Sequence, residues 1–367
     1  MIEKYIKKYN EINSILLRDL SAAAADDNVV FSAASLITLL AVAAQSAAGE
    51  TRAEIVRALT DDEDRDSLIE TVCEMQRILS AGGELKSANA VFISDEIEAS
   101  VRPGYGEKLH DIFKADLIVT GDIVSDLNRW VNEKTEGMIH EIADESMSKM
   151  VIGMLNAMFF DADWAQDYED DDISWRTFTN ADGTKVKVPM MQSRESAYLE
   201  NESFTGFVRD YDGDFSFLAL LPKEEGRESL VGAVTELDIS ELYQNIVYCE
   251  VEAVIPEFAL DFGCDLTDPC KRMGIRELFG SNADLSPLSS AEQLVGGGIL
   301  HQARIEVDRR GTRAAAATVF YTLGSAAPEP RRLKKVSLNR PFLFAIVEKN
   351  MGLPLFTGQV CYLDDQK

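Results

Sequence analysis

Histidine and serine side chains are the groups in this sequence that could perform acid–base or nucleophilic chemistry. The three histidines are His110, His140 and His301. A serine hydrolase needs its nucleophile on a strained turn such as Gly-x-Ser-x-Gly, and the sequence has no such pattern. His301 with some serine gives a poor catalytic hypothesis, because a histidine inside an apolar strand is more often a hydrogen-bonded core residue. The sequence therefore predicts that the protein is not an enzyme.

Acidic side chains are the candidates for metal binding. Residues 168–172 read Tyr-Glu-Asp-Asp-Asp, but they lack the interleaved spacing of a calcium loop. The sequence also lacks His-Glu-x-x-His, a glycine-rich phosphate loop and EF-hand spacing. We therefore read the acidic run as a solvated surface, and we expect neither a metal nor a cofactor.

Residues 308–322 form the unusual segment, Asp-Arg-Arg-Gly-Thr-Arg-Ala-Ala-Ala-Ala-Thr-Val-Phe-Tyr-Thr. Thr312 could cap a short helix that runs through the four alanines. The Val-Phe-Tyr-Thr that follows favours a strand instead. Such a conflict of local preferences is typical of a switch or a functional site. Helix and strand both remain open on these residues alone.

Charge and cysteine content narrow the class of protein. The 367 residues include 36 Lys and Arg against 63 Asp and Glu, a net charge of 36 − 63 = −27. Such a surface repels phosphate backbones and anionic lipids, so we expect neither nucleic acid nor membrane as a partner. The five cysteines are scattered without zinc or redox spacing, which indicates buried thiols rather than a disulfide framework.

The apolar pattern indicates helices first and strands later, hence an α+β protein with one large core. No run of about 18 apolar residues is present, so we predict no transmembrane helix. Predicted helices cover residues 2–25, 36–48 (with Ser32 or Ser35 near its start) and 124–142, with Gly137 as a stop. Predicted strands cover residues 85–94, 151–160 (buried on both faces), 215–222, 248–258, 341–347 and 355–362, and residues 177–191 are a predicted hairpin.

Several short motifs, in order, resemble the serpin family over nearly the whole chain. Residues 309–318 are similar to the family's hinge, Glu-Glu-Gly-Thr-Glu-Ala-Ala-Ala-Ala-Thr. Further matches are Phe31-Ser32-Ala33-Ala34-Ser35, Asn156 to Phe160 with Trp164, Val188 to Met191, Ile255 to Phe258, Ala283 to Ser286, Asn339 to Phe344 and Leu355 to Val360. The resemblance implies an α+β serpin fold with a large central β-sheet A, two smaller sheets and about eight or nine helices. It further implies one domain, residues 1–367, with an exposed reactive-centre loop at about 309–338.

The resemblance also assigns roles to residues. Trp164 would lie in the breach, where the loop enters the sheet, and the implied scissile bond joins Ser325 to Ala326. A polar shutter beneath the sheet would consist of Ser32, Ser35, Asn156 and His301. The loop hinge would consist of Arg309, Arg310, Gly311, Thr312, Arg313, Ala314, Ala315, Ala316, Ala317 and Thr318.

The implied activity is irreversible suicide-substrate inhibition of serine or cysteine proteases. A target protease would be the covalent partner, and the inhibitor is expected to be a monomer. The small residues at 323–327 favour elastase-like or subtilisin-like targets. Tyr321 or Leu323 would suit a chymotrypsin-like pocket, and Arg331 or Arg332 a trypsin-like one. The alternative is a non-inhibitory serpin that acts as a binding or chaperone-like protein.

Two departures from the family pattern bear on this reading. The family prefers acidic residues at the positions of Arg309, Arg310 and Arg313, and all three are arginine here. Because long charged side chains need partners when the loop becomes a strand and the net charge is −27, we expect acidic partners on the neighbouring strand. The alternative is slowed insertion and weak inhibition. Ala33 stands where proline is usual.

Targets of such inhibitors are usually outside the cell, so we expect a secreted or cell-surface protein, although residues 1–9 lack the apolar region of a signal peptide. The acidic composition without a disulfide framework also fits a bacterial or intracellular member.

Overall fold

The structure is a computed structural model that describes residues 2–24, 27–60, 64–225, 227–235, 237–291, 294, 298–312 and 333–366. Contacts divide the chain into two compact units that alternate along the sequence. One consists of Met1–Glu11, Ala33–Phe159 and Gly263–Ala303, and the other of Ile12–Ser32, Phe160–Phe262 and Arg304–Lys367. The predicted α+β class is confirmed, whereas the single domain stays a prediction.

Helices dominate the first part of the chain. In the described residues they are α1 (Ile2–Ala24), α2 (Ala33–Ser46), α3 (Gly49–Leu59), α4 (Arg65–Leu79), α5 (Tyr105–Phe113), α6 (Ile123–Lys134), α7 (Arg227–Val234), α8 (Ile239–Gln244) and α9 (Thr267–Arg272). Helix α2 is apolar all round, and nearly all of its residues are buried, as such a sequence requires.

Helix α6 is shorter than the sequence predicted. Asp122 caps its start by accepting a hydrogen bond from the Ser125 amide, and the helix ends at Lys134 instead of continuing to residue 142. Gly137 acts as the expected stop, because its φ is +81° and its amide donates to the Asn132 carbonyl at 2.8 Å.

In the described residues, a sheet of three strands has the order β3 (Asp116–Thr120), β2 (Leu85–Ser94) and β4 (Ile152–Phe160), so that β4 is at an edge of these three. The bounds of β2 match the prediction. The expectation that β4 is buried on both faces is wrong, because burial alternates along it between full and partial. A T-shaped contact between Phe92 and Trp130, with ring centroids 6.0 Å apart, joins β2 to α6 in this core.

The largest sheet belongs to the second unit. Its order is β1 (Val29–Phe31), β16 (Leu353–Val360), β15 (Phe342–Glu348), β9 (Phe215–Pro222), β8 (Phe204–Asp210), β7 (Lys185–Glu200), β10 (Val247–Pro256) and β14 (Lys334–Ser337), with β6 (Ile173–Thr179) paired to β7. Strands β9, β15 and β16 are buried along their whole length, including the polar residues Ser216, Glu348, Thr357 and Gln359. The predicted hairpin is β6–β7, where Asp182 accepts from the Thr184 amide and Gly183 has a φ of +85°.

Two short ribbons complete the described strands. They are β11 (Phe258–Asp265) with β12 (Leu300–Val307), and β5 (Ala162–Asp163) with β13 (Gly311–Thr312). All five cysteines are free thiols. In the described part of the chain, no helix is long and apolar enough to cross a membrane, and no cluster of three or more His, Cys, Asp or Glu could hold a metal.

Candidate functional site

The predicted hinge begins as a strand. Gly311 and Thr312 form β13, which pairs antiparallel with β5, with Gly311 opposite Asp163 and Thr312 opposite Ala162. The two backbones approach so closely that a Cβ atom at Gly311 would lie 2.1 Å from the Ala162 carbonyl oxygen. Because no side chain fits at that distance, the ladder requires glycine at position 311.

A tight turn leads from β12 into β13. The Asp308 amide donates to the Gly311 carbonyl at 3.0 Å, which closes the turn. The Asp308 carboxylate accepts from the amides of Arg310 at 2.8 Å and Gly311 at 3.3 Å. An aspartate that accepts from the second amide after its own is a common turn former, so the local sequence itself reverses the chain here.

Trp164, which the resemblance placed in the breach, contacts this turn. Its amide donates to the Arg310 carbonyl at 2.8 Å, and its indole Nε1 donates to the Asp308 carbonyl at 2.9 Å. The indole stacks on Tyr211, with ring centroids 4.5 Å apart and planes 6° from parallel. The Tyr211 hydroxyl shares a hydrogen bond of 2.7 Å with Thr312 Oγ1. Burial raises the pKa of Tyr211, so this hydroxyl stays protonated at physiological pH.

The sequence analysis missed Tyr168 and Arg209, which complete the packing around Trp164. The Arg209 guanidinium lies 4.0 Å from the Tyr168 ring centroid and 5.0 Å from that of Trp164. It is buried and forms a 2.6 Å ion pair with Glu195. The Tyr168 amide donates to the Arg309 carbonyl at 3.2 Å. Tyr168 opens the acidic run that we read as solvated surface, and its burial departs from that reading.

Acidic side chains surround the arginine that opens the hinge. Arg309 Nη1 lies 2.9 Å from an Asp170 carboxylate oxygen, and its Nε lies 3.3 Å from one of Glu257. The acidic run is therefore the source of one partner. The structure thus gives Arg309 acidic partners, but they come from a short turn at Asp170 and from Glu257 between β10 and β11, and not from the neighbouring strand as expected.

A second acidic cluster lies beside Arg310. Burial raises the pKa of Asp163, and the nearby carboxylates of Asp167, Asp161 and Asp212 raise it further, while the Arg310 guanidinium lowers it. The four carboxylates give this part of the ribbon a negative field. A cation at position 310 is therefore favoured where the family prefers an acid.

The predicted shutter residues occupy different parts of the chain. Ser32 precedes α2, Ser35 lies within it, and His301 is on β12; all three are buried. Burial lowers the pKa of His301 from 6.5 to about 4, so the ring is neutral at physiological pH. A neutral buried ring fits a polar core position rather than a general base poised near pH 7.

Asn156 has partners that the sequence did not identify. On β4, its Nδ2 donates to Ser87 Oγ at 3.1 Å and to Asn89 Oδ1 at 2.8 Å. Asn89 in turn donates to the Phe113 carbonyl at 3.0 Å. This chain of amides bridges β4 and β2. The alternation of Ser87 and Asn89 on one face of β2 was the signal available in the sequence.

The remaining predicted site residues lie outside the described residues. These are Arg313, Ala314, Ala315, Ala316, Ala317 and Thr318 of the hinge, Ser325 and Ala326 of the scissile bond, and the alternative cleavage positions Tyr321, Leu323, Arg331 and Arg332.

Known proteins are similar to this chain in sequence and in fold. A family model described as serpin (serine protease inhibitor) matches residues 7–363. The chain is 29% identical to an uncharacterized serpin-like protein of Thermococcus kodakarensis, with 96% of this chain and 84% of that protein covered. It is also 29% identical to the plasma serine protease inhibitor of Homo sapiens, with 94% and 87% covered.

A solved structure confirms the predicted fold. The native state of Tengpin, a thermophilic serpin, has a TM-score of 0.85 and 30% identity, and the match covers 97% of this chain and 94% of Tengpin. Members of the matched family are in general protease inhibitors rather than enzymes. The chain belongs to the serpin family.

Proposed function

We propose that this chain is an irreversible suicide-substrate inhibitor of serine proteases, and that β13 is the first part of the strand its loop forms after cleavage. The observation that carries the proposal is the antiparallel ladder between Gly311–Thr312 and Ala162–Asp163. The strand that this ladder starts runs antiparallel to β5, which is the direction that an inserted loop requires. The family supports the same reading, because its description is that of serine protease inhibitors.

The first chemical step is acylation of the protease. The protease's serine Oγ adds to the carbonyl carbon of Ser325, and the bond to the Ala326 nitrogen breaks. The protease's histidine takes the proton from the serine and gives it to the leaving amine. The products are an ester between the protease and Ser325 and a free amino terminus at Ala326.

The second step is insertion of the cleaved loop. If the β13–β5 register continues, Arg313 comes to lie opposite Asp161 and Ala314 opposite Phe160. The first pair joins opposite charges, and the second places a small side chain beside a large one. Among the described strands β4 is at an edge and continues directly into β5, and an edge strand offers its main-chain groups to an added strand. Insertion that outpaces hydrolysis of the ester traps the protease.

Target preference follows from the residues around the proposed bond. Leu323, Gly324, Ser325, Ala326 and Ala327 are small or apolar. A shallow apolar primary pocket accepts such residues, which favours elastase-like or subtilisin-like proteases.

The test is incubation with elastase, subtilisin, chymotrypsin and trypsin, followed by a denaturing gel and mass spectrometry of the loop. We expect an SDS-stable complex with elastase or subtilisin and cleavage between Ser325 and Ala326. Cleavage without complex would identify a substrate, and neither product would favour a binding protein. A cut after Arg331 or Arg332 would contradict the proposed target class.

A further inference from the structure

The turn that leads into β13 is held by a supporting segment, which runs from Trp164 to Tyr168. Three consecutive carbonyls of the turn accept hydrogen bonds from the two end residues of this segment. The Trp164 indole donates to the Asp308 carbonyl at 2.9 Å, and the Trp164 amide donates to the Arg310 carbonyl at 2.8 Å. The Tyr168 amide donates to the Arg309 carbonyl at 3.2 Å. The position of the turn therefore depends on what fixes the supporting segment.

Main-chain contacts with the end of β8 fix the first part of the supporting segment. Trp164 forms a β-bridge with Tyr211, and the Ala165 amide donates to the Asp210 carbonyl at 3.0 Å. Among the described residues, no strand pairing continues from Ala165 toward the end of the segment. The last part of the segment is held by side-chain contacts instead.

The Arg209 side chain reaches this last part from β8. Its guanidinium donates to the Gln166 carbonyl, and it lies 4.0 Å from the Tyr168 ring centroid and 5.0 Å from that of Trp164. A planar guanidinium can stack on aromatic rings and donate hydrogen bonds in its own plane at the same time. Arg209 is only 5% exposed, so water competes little for these contacts.

Glu195, on β7, holds both this guanidinium and the Tyr168 hydroxyl. Its Oε1 accepts from Arg209 Nη1 at 2.6 Å and from Ser193 Oγ at 2.6 Å. The Tyr168 hydroxyl in turn donates to Ser193 Oγ at 3.5 Å. Tyr168 is thus held at its ring and at its hydroxyl by groups that meet at one carboxylate. Because a buried ion pair contributes little net stability, its presence here points to a role in positioning.

We infer that Arg209 and Glu195 are positioning residues for insertion of the loop, and this inference rests on the proposed function. They fix Tyr168 and Trp164, and these two residues hold the turn from which β13 starts. A displaced turn starts β13 out of register with β5, so insertion slows while the ester hydrolyses at its own rate. Neither positioning residue belongs to the loop, so cleavage of the loop does not depend on them.

The test removes the ion pair without leaving an unpaired buried charge. In Arg209→Met/Glu195→Gln, methionine replaces the aliphatic part of the arginine, and glutamine keeps an acceptor for Ser193. We expect hydrogen–deuterium exchange of the Trp164 and Tyr168 amides to become about tenfold faster, because the lost cation–π contact and charge-assisted hydrogen bond both opposed local opening. Mass spectrometry of peptic fragments measures this. The melting temperature should change little, since uncharged groups often replace a buried ion pair without loss of stability.

A second readout concerns the trap itself. In the double variant, the number of inhibitor molecules consumed per elastase molecule inhibited should rise about tenfold, while kcat/KM for cleavage of the loop stays at the wild-type value. With an unchanged melting temperature, loss of folded inhibitor cannot account for that rise. A purely structural role for the ion pair would move neither quantity.

Arg340→Met is the matched control, because Arg340 is also a largely buried arginine that donates to a main-chain carbonyl, that of Pro222, at 2.7 Å. Its side-chain contacts in the described part of the chain reach neither the supporting segment nor the turn. Exchange and consumption should both match the wild type. If the double variant does not fold, Arg209→Lys replaces it: lysine keeps the charge beside Glu195 but has no planar group to stack on Tyr168, so it should also speed exchange.

The outcomes separate this inference from the proposed function. Equal exchange in the wild type and the double variant overturns the inference. Faster exchange with unchanged consumption also overturns it, because a loosened turn would then have no effect on insertion. A wild type that forms no complex with any protease overturns the proposed function and the link to insertion, whereas the exchange rates still decide whether the ion pair holds the turn.

Discussion

The hydroxyl groups of Tyr211 and Thr312 lie 2.7 Å apart, although 101 residues separate them in the chain. Both side chains are buried, and the Tyr211 ring stacks on Trp164. One hydrogen bond thus fixes the start of the hinge strand to an aromatic stack formed by distant parts of the same unit. The Thr312 side chain is therefore small enough for this buried position and is also held in it by a hydrogen bond.

A double-mutant cycle on this pair should show coupling. Tyr211→Phe keeps the ring and removes the hydroxyl, and Thr312→Val removes the other partner, so each leaves one buried polar group unsatisfied. We expect each to lower the free energy of unfolding by about 1–2 kcal/mol, with a coupling of about 1 kcal/mol in urea titrations. Tyr198→Phe is the control for Tyr211, because its hydroxyl pairs with Thr205 at 2.8 Å. The effects of Tyr198→Phe and Thr312→Val on the free energy of unfolding should be additive. A coupling between them as large as that between Tyr211→Phe and Thr312→Val would contradict the contact between Tyr211 and Thr312.

The variant Thr312→Arg should turn the inhibitor into a substrate. Thr312 is only 2% exposed, so an arginine there must either bury its charge or keep the hinge out of the sheet. Slower insertion lets the ester hydrolyse, and we expect the yield of SDS-stable complex to fall about tenfold or more. Val119→Arg places the same side chain at an exposed position and should not change the yield. An unchanged yield for Thr312→Arg would show that the hinge need not insert.

Much of the fold could be predicted because its signals are local. The bounds of β2 and β9 match the predicted strands, and the turn that joins β6 to β7 follows from Ala181-Asp-Gly-Thr. The continuous apolar run of β4 was misread as burial on both faces, because apolarity alone does not show how completely each face is covered. Helix α6 was extended too far, although Gly137 was correctly identified as a stop.

The candidate site was predicted only where motifs marked it. The structure brings Trp164, Gly311 and Thr312 together, and the roles that the resemblance assigned to them stay predictions. Tyr211 and Tyr168 could not be found, because their place in the site depends on strand pairings and turns far from the hinge in sequence. Only tertiary structure shows which distant aromatic residue stacks on a given tryptophan.

Acid should destabilise the protein partly through His301. Its pKa is about 4 in the folded protein against an ordinary 6.5, so the unfolded chain binds more protons between these values. Stability therefore rises with pH across this window, and it is lost as the pH falls from 6.5 to 4, by about 3 kcal/mol from this residue. His301→Gln should flatten the pH dependence of the free energy of unfolding over this range. Equal profiles for wild type and His301→Gln would contradict the burial of a neutral ring.

Reversing the charge at Arg309 should show whether the acidic partners hold the arginine there. Arg309→Glu introduces the acidic residue that the family prefers. Its carboxylate would face the carboxylates of Asp170 and Glu257, to which the Arg309 guanidinium is paired at 2.9 and 3.3 Å in the wild type. Arg309 is 43% exposed, so we expect a loss of only about 1 kcal/mol in the free energy of unfolding, reduced further in 1 M NaCl. Adding Glu257→Arg to Arg309→Glu recreates an opposite pair and should restore most of the loss.

The matched control for Arg309 is Lys335→Glu, which breaks the exposed pair with Glu252 at 2.8 Å. It should cost a similar amount in the free energy of unfolding without altering the yield of protease complex. Arg309 differs because its carbonyl accepts from the Tyr168 amide and because it lies within the turn from Asp308 to Gly311. Repulsion there should displace the start of β13, so we expect Arg309→Glu also to lower the complex yield, and Glu257→Arg to recover it. Equal yields for Arg309→Glu and wild type would mean that the hinge works independently of the charge beside it.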